Sequence, residues 1–159
     1  MKILVISDTH GYIDKAVKVI KENNNISMII HLGDYFRDAQ KIAYEFPHIQ
    51  VEYVHGNCDL MSGNVLAEKL LELEGKKVFI THGHRYSVKW NYEKILKRAQ
   101  ELEADLLLFG HTHIAEIFNN GKCFFLNPGS ISDPRGGRRE SYAIVDINGD
   151  VIEPKLFFA

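Results

Sequence analysis

Cysteine is scarce in this chain. Its 159 residues contain only Cys58 and Cys123, too few for a disulfide framework, and free thiols of this kind belong to a reducing, cytoplasmic setting. Basic charge is not in excess either. Nineteen Lys and Arg stand against 21 Asp and Glu, a formal net charge of −2 with neutral histidines. No broad basic surface therefore points to nucleic acid or to an anionic membrane. Long apolar runs are missing as well: nothing approaches the roughly 20 residues of a membrane span. The opening MKILVISDTH carries too short an apolar stretch for a signal peptide. With no linker, low-complexity tract or repeat, one domain over 1–159 in a cytoplasmic protein is expected.

Short apolar runs are abundant, and they end alike. Ile3–Ile6 leads into SDTHG, Met28–Ile30 into HLGD, Val51–Val54 into HGNCD, Val78–Ile80 into THGH, Leu106–Phe109 into GHTH, and Phe124–Leu126 into NPGS. Runs of this length read as buried strands, each followed by loop-opening residues. Ile13, Val17 and Ile20 mark one helical face, and a second helix is expected from Asp38 to Glu45, before Pro47. Val88, Tyr92, Ile95, Ala99 and Leu102 step by four, three, four and three, predicting a third, amphipathic helix. Gly75, Asn120-Gly121 and Asn148-Gly149 sit at expected hairpin turns. The fold class is therefore α/β (α+β), with parallel strands first and antiparallel additions later.

Five strand ends carry Asp, Asn or His: Asp8/His10, Asp34, Asn57, His82 and His111/His113. Their leading residues are spaced 26, 23, 25 and 29 positions apart. One strand-containing unit per interval would bring them to one edge of a sheet, where ligand sites form. Two carboxylates, four imidazoles and one amide oxygen suit Mn, Fe, Zn, Co or Ni better than Ca or Mg. Seven ligands exceed the needs of one ion. Two ions about 3.5–4 Å apart would use them all, with Asp34 as the bridging carboxylate. In Asp8-x-His10 an extended backbone would aim both side chains the same way. A turn at His111-x-His113 could instead send its rings to different ions. Any one of these pieces alone reads as a helix cap or a turn; their joint occurrence reads as a metal site.

Asp8-Thr9-His10, Gly33-Asp34, Gly56-Asn57-Cys58-Asp59, Gly83-His84 with the adjacent His82, and Gly110-His111-Thr112-His113 resemble the motifs of the calcineurin-like metallophosphoesterase superfamily. THGH, NPGS and the short length resemble its small YfcE-type phosphodiesterase subfamily. The resemblance implies a metallophosphoesterase-type β-sandwich of mixed sheets flanked by helices. It also implies two divalent metal ions, with Mn2+ expected and Fe, Zn, Ni or Co also suited. One ion would take Asp8, His10, Asp34 and His113, the other Asp34, Asn57, His82 and His111. Asp34, Asn57 and His82 would be catalytic, and the activity would be phosphodiester hydrolysis by a metal-activated hydroxide. The alternatives are a phosphomonoesterase, or a non-catalytic scaffold like the retromer subunit on this fold.

Cys58 stands where many family members carry a proton-donating histidine. A thiol is a poor acid for a leaving group, so diesters or esters of acidic alcohols are expected as substrates. Cys58, His84, Arg135 and Arg138 are candidate substrate contacts for a small phosphodiester or nucleotide-like molecule. The bland alternative for Arg135, Arg138 and Arg139 in DPRGGRR is a solvated loop. His31 and His55 read as structural histidines, and Cys123 as core. The exposed hairpins leave room for homo-oligomers.

Overall fold

Alternation along the strands decides how the chain layers itself. A computed structural model describes residues 1–158. Its elements run β1 (Lys2–Ile6), α1 (Asp14–Glu22), β2 (Met28–His31), α2 (Phe36–Glu45), β3 (Gln50–Tyr53), β4 (Glu68–Leu73), β5 (Lys76–Thr81), a short 3-10 helix (His84–Tyr86), α3 (Glu93–Glu101), β6 (Leu106–Leu108), β7 (Ala115–Asn119), β8 (Phe124–Pro128), β9 (Ser141–Asn148) and β10 (Val151–Phe158). They form two five-stranded mixed sheets, β10-β9-β1-β2-β3 and β4-β5-β6-β8-β7.

In β1, Ile3 and Val5 face the opposite sheet and join Met28, Ile30, Val78, Ile80, Leu106, Leu108 and Val145 in the central core. Leu4 and Ile6 point the other way, onto Ala16, Val19, Ile20 and Ile42 of α1 and α2. Phe79, Leu107 and Phe125 cover the outer face of the second sheet against Ile95 and Ala99 of α3. The result is a helix–sheet–sheet–helix stack. Each fully buried Leu, Ile or Phe stabilises it by about 1.5–3 kcal/mol, which is why these strands read as unbroken apolar runs rather than alternating ones.

The three hairpins form at their expected turns, with β4–β5, β7–β8 and β9–β10 all antiparallel. Three expectations need correction. Parallel pairing is not confined to the first half, because β5, β6 and β8 are also parallel neighbours. The third helix begins at Glu93 rather than Val88. Val88 lies in the preceding turns yet is buried against Ile95 and Phe109, so an apolar contact outside the helix extended the helical period. Finally, the ligand-bearing ends belong to two sheets. Those of β1, β2 and β3 lie in the first and those of β5 and β6 in the second, so the site forms where both sheets end together.

Candidate metal centre

The strand ends bring a compact set of donors together at one end of the sandwich. One donor atom each from Asp8, His10, Asp34 and His113 lies within 4.8 Å of the others. His113 Nε2 is 3.1 Å from Asp8 Oδ1 and 3.4 Å from His10 Nε2, while His10 Nε2 is 3.9 Å from Asp34 Oδ2. Beside this group, His82 Nε2 lies 3.4 Å from Asp34 Oδ1, 3.2 Å from Asn57 Oδ1 and 3.2 Å from His111 Nδ1. Asp34 therefore offers one oxygen to each group. Asp8, Asp34, His82 and His113 are buried at the floor; His10 and His111 are half-buried, and Asn57 is exposed at the mouth.

Hydrogen bonds made behind the histidines decide what faces the centre. His113 Nδ1 donates to the Asp133 carbonyl at 2.5 Å, and His82 Nδ1 to the Leu32 carbonyl at 2.8 Å. In each neutral ring the other nitrogen then carries a lone pair, aimed inward. His82 Nε2, Asn57 Oδ1 and Asp34 Oδ1 are thus acceptors turned toward acceptors. Asp8 shows the same imbalance. Its Oδ2 accepts from the Ser7 hydroxyl at 2.5 Å and the His111 N–H at 3.2 Å. Its Oδ1 is buried without any hydrogen bond, although His113 Nε2 is close. A buried carboxylate oxygen left this way is costly, and a cation between these donors removes the cost. The donor set fits such ions.

Asp8 and His111 titrate as metal ligands should, whereas His113 is drawn toward its protonated form. Burial pushes Asp8 up, but His113 and His82 outweigh it and hold the carboxyl down to about 2. Burial, reinforced by His82 and Lys89, lowers His111 to about 4, so its ring is neutral at neutral pH as a ligand must be. Burial also lowers His113, yet its contacts with Asp8 and Asp133 leave it above the ordinary value.

The backbone carries the geometry. Asp8, His10, Asp34, His111 and His113 all lie in the left-handed region, at φ 55, 47, 54, 69 and 60°. The expected extended Asp8-x-His10 segment is therefore wrong: a left-handed turn, not strand alternation, brings both side chains inward. Non-glycine residues held there store about 1–3 kcal/mol each, and such strain concentrates at functional sites. The turn at His111-x-His113 does part the two rings, His111 toward His82 and His113 toward His10.

Several supporting residues escaped the sequence reading. Asp38, buried in the first turn of α2, accepts from the Thr9 hydroxyl and the Gly11 N–H, both at 2.8 Å. Asp59 accepts from the N–H groups of Tyr35, Phe36 and Gly56 at 2.8, 2.9 and 2.7 Å. Ser130 and Ser132 hydroxyls donate to the Asp8 carbonyl, and Asn127 Nδ2 donates to the Gly110 carbonyl. Only the NPGS string and the motif ending in Asp59 hinted at any of these. A polar residue several strands away has no local signature.

His31 is fully buried and satisfied, with Nδ1 accepting from Gly33 N–H and Nε2 meeting Thr9 Oγ1 at 3.0 Å. Burial lowers it to about 4, so it stays neutral. His55 contacts the Gly56 carbonyl and stands 5.9 Å from the His84 ring. His84 lies 5.4 and 6.2 Å, ring to ring, from His82 and His111, with Nδ1 unpartnered. Cys58 is exposed beside the centre: its N–H donates to Asp34 Oδ1 at 2.9 Å. Burial of the thiol, with Asp34 and Asp59 close by, pushes it up to about 11. Arg135, Arg138 and Arg139 are exposed, and Arg135 N–H lies 3.4 Å from the His113 carbonyl. Cys123 is buried, as expected.

The model of the calcineurin-like phosphoesterase superfamily domain matches residues 1–150. The chain belongs to this superfamily. Among relatives, the "probable metallophosphoesterase YsnB" of Bacillus subtilis is 37% identical over 99% of this chain and 90% of its own. The phosphodiesterase YfcE of Escherichia coli K12 is 30% identical over 92% of this chain and 88% of its own. A solved structure from Streptococcus pneumoniae, described as a predicted phosphoesterase, superposes with a TM-score of 0.84 at 33% identity. It covers 99% of this chain and 88% of its own. As in other calcineurin-like phosphoesterases, the fold implies divalent metal ions, and Asp8, His10, Asp34 and His113 form a candidate site for one. Among the described residues no helix is long and apolar enough to cross a membrane.

Proposed function

We propose that this chain is a phosphodiesterase working with two divalent ions, Mn2+ foremost. The observation that carries the reading is the set of inward-facing acceptors, above all the unpaired, buried Asp8 Oδ1. Asp8, His10, Asp34 and His113 would hold one ion, and Asp34, Asn57, His82 and His111 the other. When bound, such ions supply Lewis acidity toward phosphate oxygens and lower the pKa of water. The protein's own groups do the rest. Asp34 joins the two halves, the carbonyls of Leu32 and Asp133 fix the ring orientations, and Asn57 adds a donor without adding negative charge. A scaffold role gives no reason to sustain five left-handed ligand residues.

Cys58 shapes the substrate range. With its thiol raised to about 11, it holds its proton too tightly to assist an alkoxide leaving group at neutral pH. Diesters with acidic leaving groups should therefore turn over faster than alkyl monoesters. The test combines metal analysis of the purified protein with paired assays on an aryl diester and an alkyl monoester in Mn2+. Two bound ions and a diester preference of at least about tenfold are expected. Fast monoester turnover with an inert diester overturns the assignment.

Arg135 and Arg138 fit the same proposal as a clamp on a second phosphate or nucleotide moiety, since their guanidinium groups are exposed and Arg forks pair well with phosphate. Replacing both with alanine should raise KM for a nucleotide diester several-fold and spare kcat. Unaltered kinetics would reduce the pair to a solvated loop.

A further inference from the structure

Tyr35 is the bulkiest residue held in a left-handed backbone next to the centre. It lies at φ 72 and ψ 58°, where an aromatic side chain is an outlier. Its neighbours Asp34 and Phe36 turn inward and are buried, whereas Tyr35 is 43% exposed. The strain is imposed from another loop: one carboxylate oxygen of Asp59 accepts from both Tyr35 and Phe36 N–H groups. That clamp aims the ring at the metal centre. It meets the His10 ring edge-on at 5.4 Å, and its Cε1 lies 4.0 Å from where a Cβ on Gly11 would stand.

Core packing does not explain the arrangement, because Tyr35 stays partly in solvent and joins none of the three buried apolar clusters. The same clamp ties down the loop carrying Leu60 and Met61, which are 82% and 91% exposed. An apolar rim fixed beside a polar centre that would attract anions once it holds cations matches a ligand that joins a phosphate to a flat ring.

We propose that Tyr35 is the stacking platform for an aromatic base on the retained ester group of the substrate, making nucleoside-bearing phosphodiesters the preferred class. The inference rests on the phosphodiesterase reading above and adds a substrate class to it. Stacking of a base on an aromatic side chain is tolerant of base identity, so selectivity should depend on the presence of a ring rather than on which base it is.

Two substrates isolate the effect: thymidine 5′-(4-nitrophenyl) phosphate and methyl 4-nitrophenyl phosphate. In both, water adds to phosphorus and 4-nitrophenolate departs, so only the retained group differs. In the Mn2+-loaded protein, Tyr35→Gly should lower the ratio of kcat/KM for the nucleoside ester over the methyl ester by about tenfold, through KM. Tyr35→Phe should keep the ratio. Glycine suits the left-handed backbone, so the variant should also keep its Tm, which separates lost stacking from lost folding. An unchanged ratio in Tyr35→Gly overturns the proposal. Should the wild type cleave neither ester, the phosphodiesterase reading fails by itself. The platform is then decided by binding: the Kd of thymidine 5′-monophosphate relative to methyl phosphate must weaken about tenfold in Tyr35→Gly, and an unchanged relative Kd refutes it.

Discussion

Asp34→Asn should cut kcat/KM for an aryl phosphodiester in Mn2+ by more than about 100-fold, since even groups that merely support a ligand cost 10–100-fold when removed. Asp34 is the residue whose two oxygens face different histidine groups, Oδ2 toward His10 at 3.9 Å and Oδ1 toward His82 at 3.4 Å. An amide at this position keeps the volume and still accepts from Cys58 N–H, now 2.9 Å away. It loses the charge that lets one side chain serve two cations. Its NH2 group can moreover donate to a histidine lone pair, relieving the acceptor crowding. The metal-free variant should therefore unfold at an equal or higher temperature than the metal-free wild type, a gain of about 1 kcal/mol if one new hydrogen bond forms. Added Mn2+ should raise the wild-type Tm by mass action and do much less for the variant. A variant that retains two ions and wild-type turnover would remove Asp34 from the centre of the mechanism.

Gly56→Ala should be the most destabilising single methyl addition near the site. A Cβ at Gly56 would stand 2.1 Å from Asp34 Oδ1, 2.5 Å from Asp34 N and 2.9 Å from Asp34 Cγ. The nitrogen is backbone of a residue already strained at φ 54°, and the carboxyl atoms belong to a buried side chain held by the Cys58 N–H, so neither yields cheaply. Overpacking of this kind costs about 3 kcal/mol, which for a chain of this length corresponds to a Tm lower by roughly 6–12 °C. Because the loop after β3 leads through Gly56 into Asn57, and Asp34 touches both donor groups, Mn2+ affinity should fall along with stability. Thermal denaturation with and without Mn2+ measures both effects, and a wild-type Tm would disprove the close approach. Gly56 and Gly110 keep a positive φ out of the argument: unlike Gly11, Gly33 and Gly83, they are glycine for space alone.

That contrast shows how sequence and structure divided the information. Gly11, Gly33, Gly56, Gly83 and Gly110 flank the ligands in the sequence, where glycine can serve either backbone freedom or close approach. For Gly56 and Gly110 the reason is the neighbouring loop, Asp34 in one case and Ser7 with Asp8 Oδ2 in the other. Similarly, the Val88 to Leu102 period read as one helix, although Val88 packs from a turn. Periodicity records which residues are buried, not which element presents them.

Residue chemistry and spacing are local properties, so they were already present in the chain. The apolar runs had to become buried strands, the Asn-Gly pairs had to turn, and Asp8, His10, Asp34, Asn57, His82, His111 and His113 had to follow strand ends. Which of them meet depends on register and on the stacking of two sheets across separations of up to 105 residues, from Asp8 to His113. Packing therefore settled that His113 approaches Asp8 while His111 approaches His82. It also recruited Asp38, Asp59, Ser130 and Ser132 to hold a strained backbone that no stretch of sequence would adopt unaided. The physical reason is that a left-handed ligand residue persists only when hydrogen bonds from distant segments outweigh its cost.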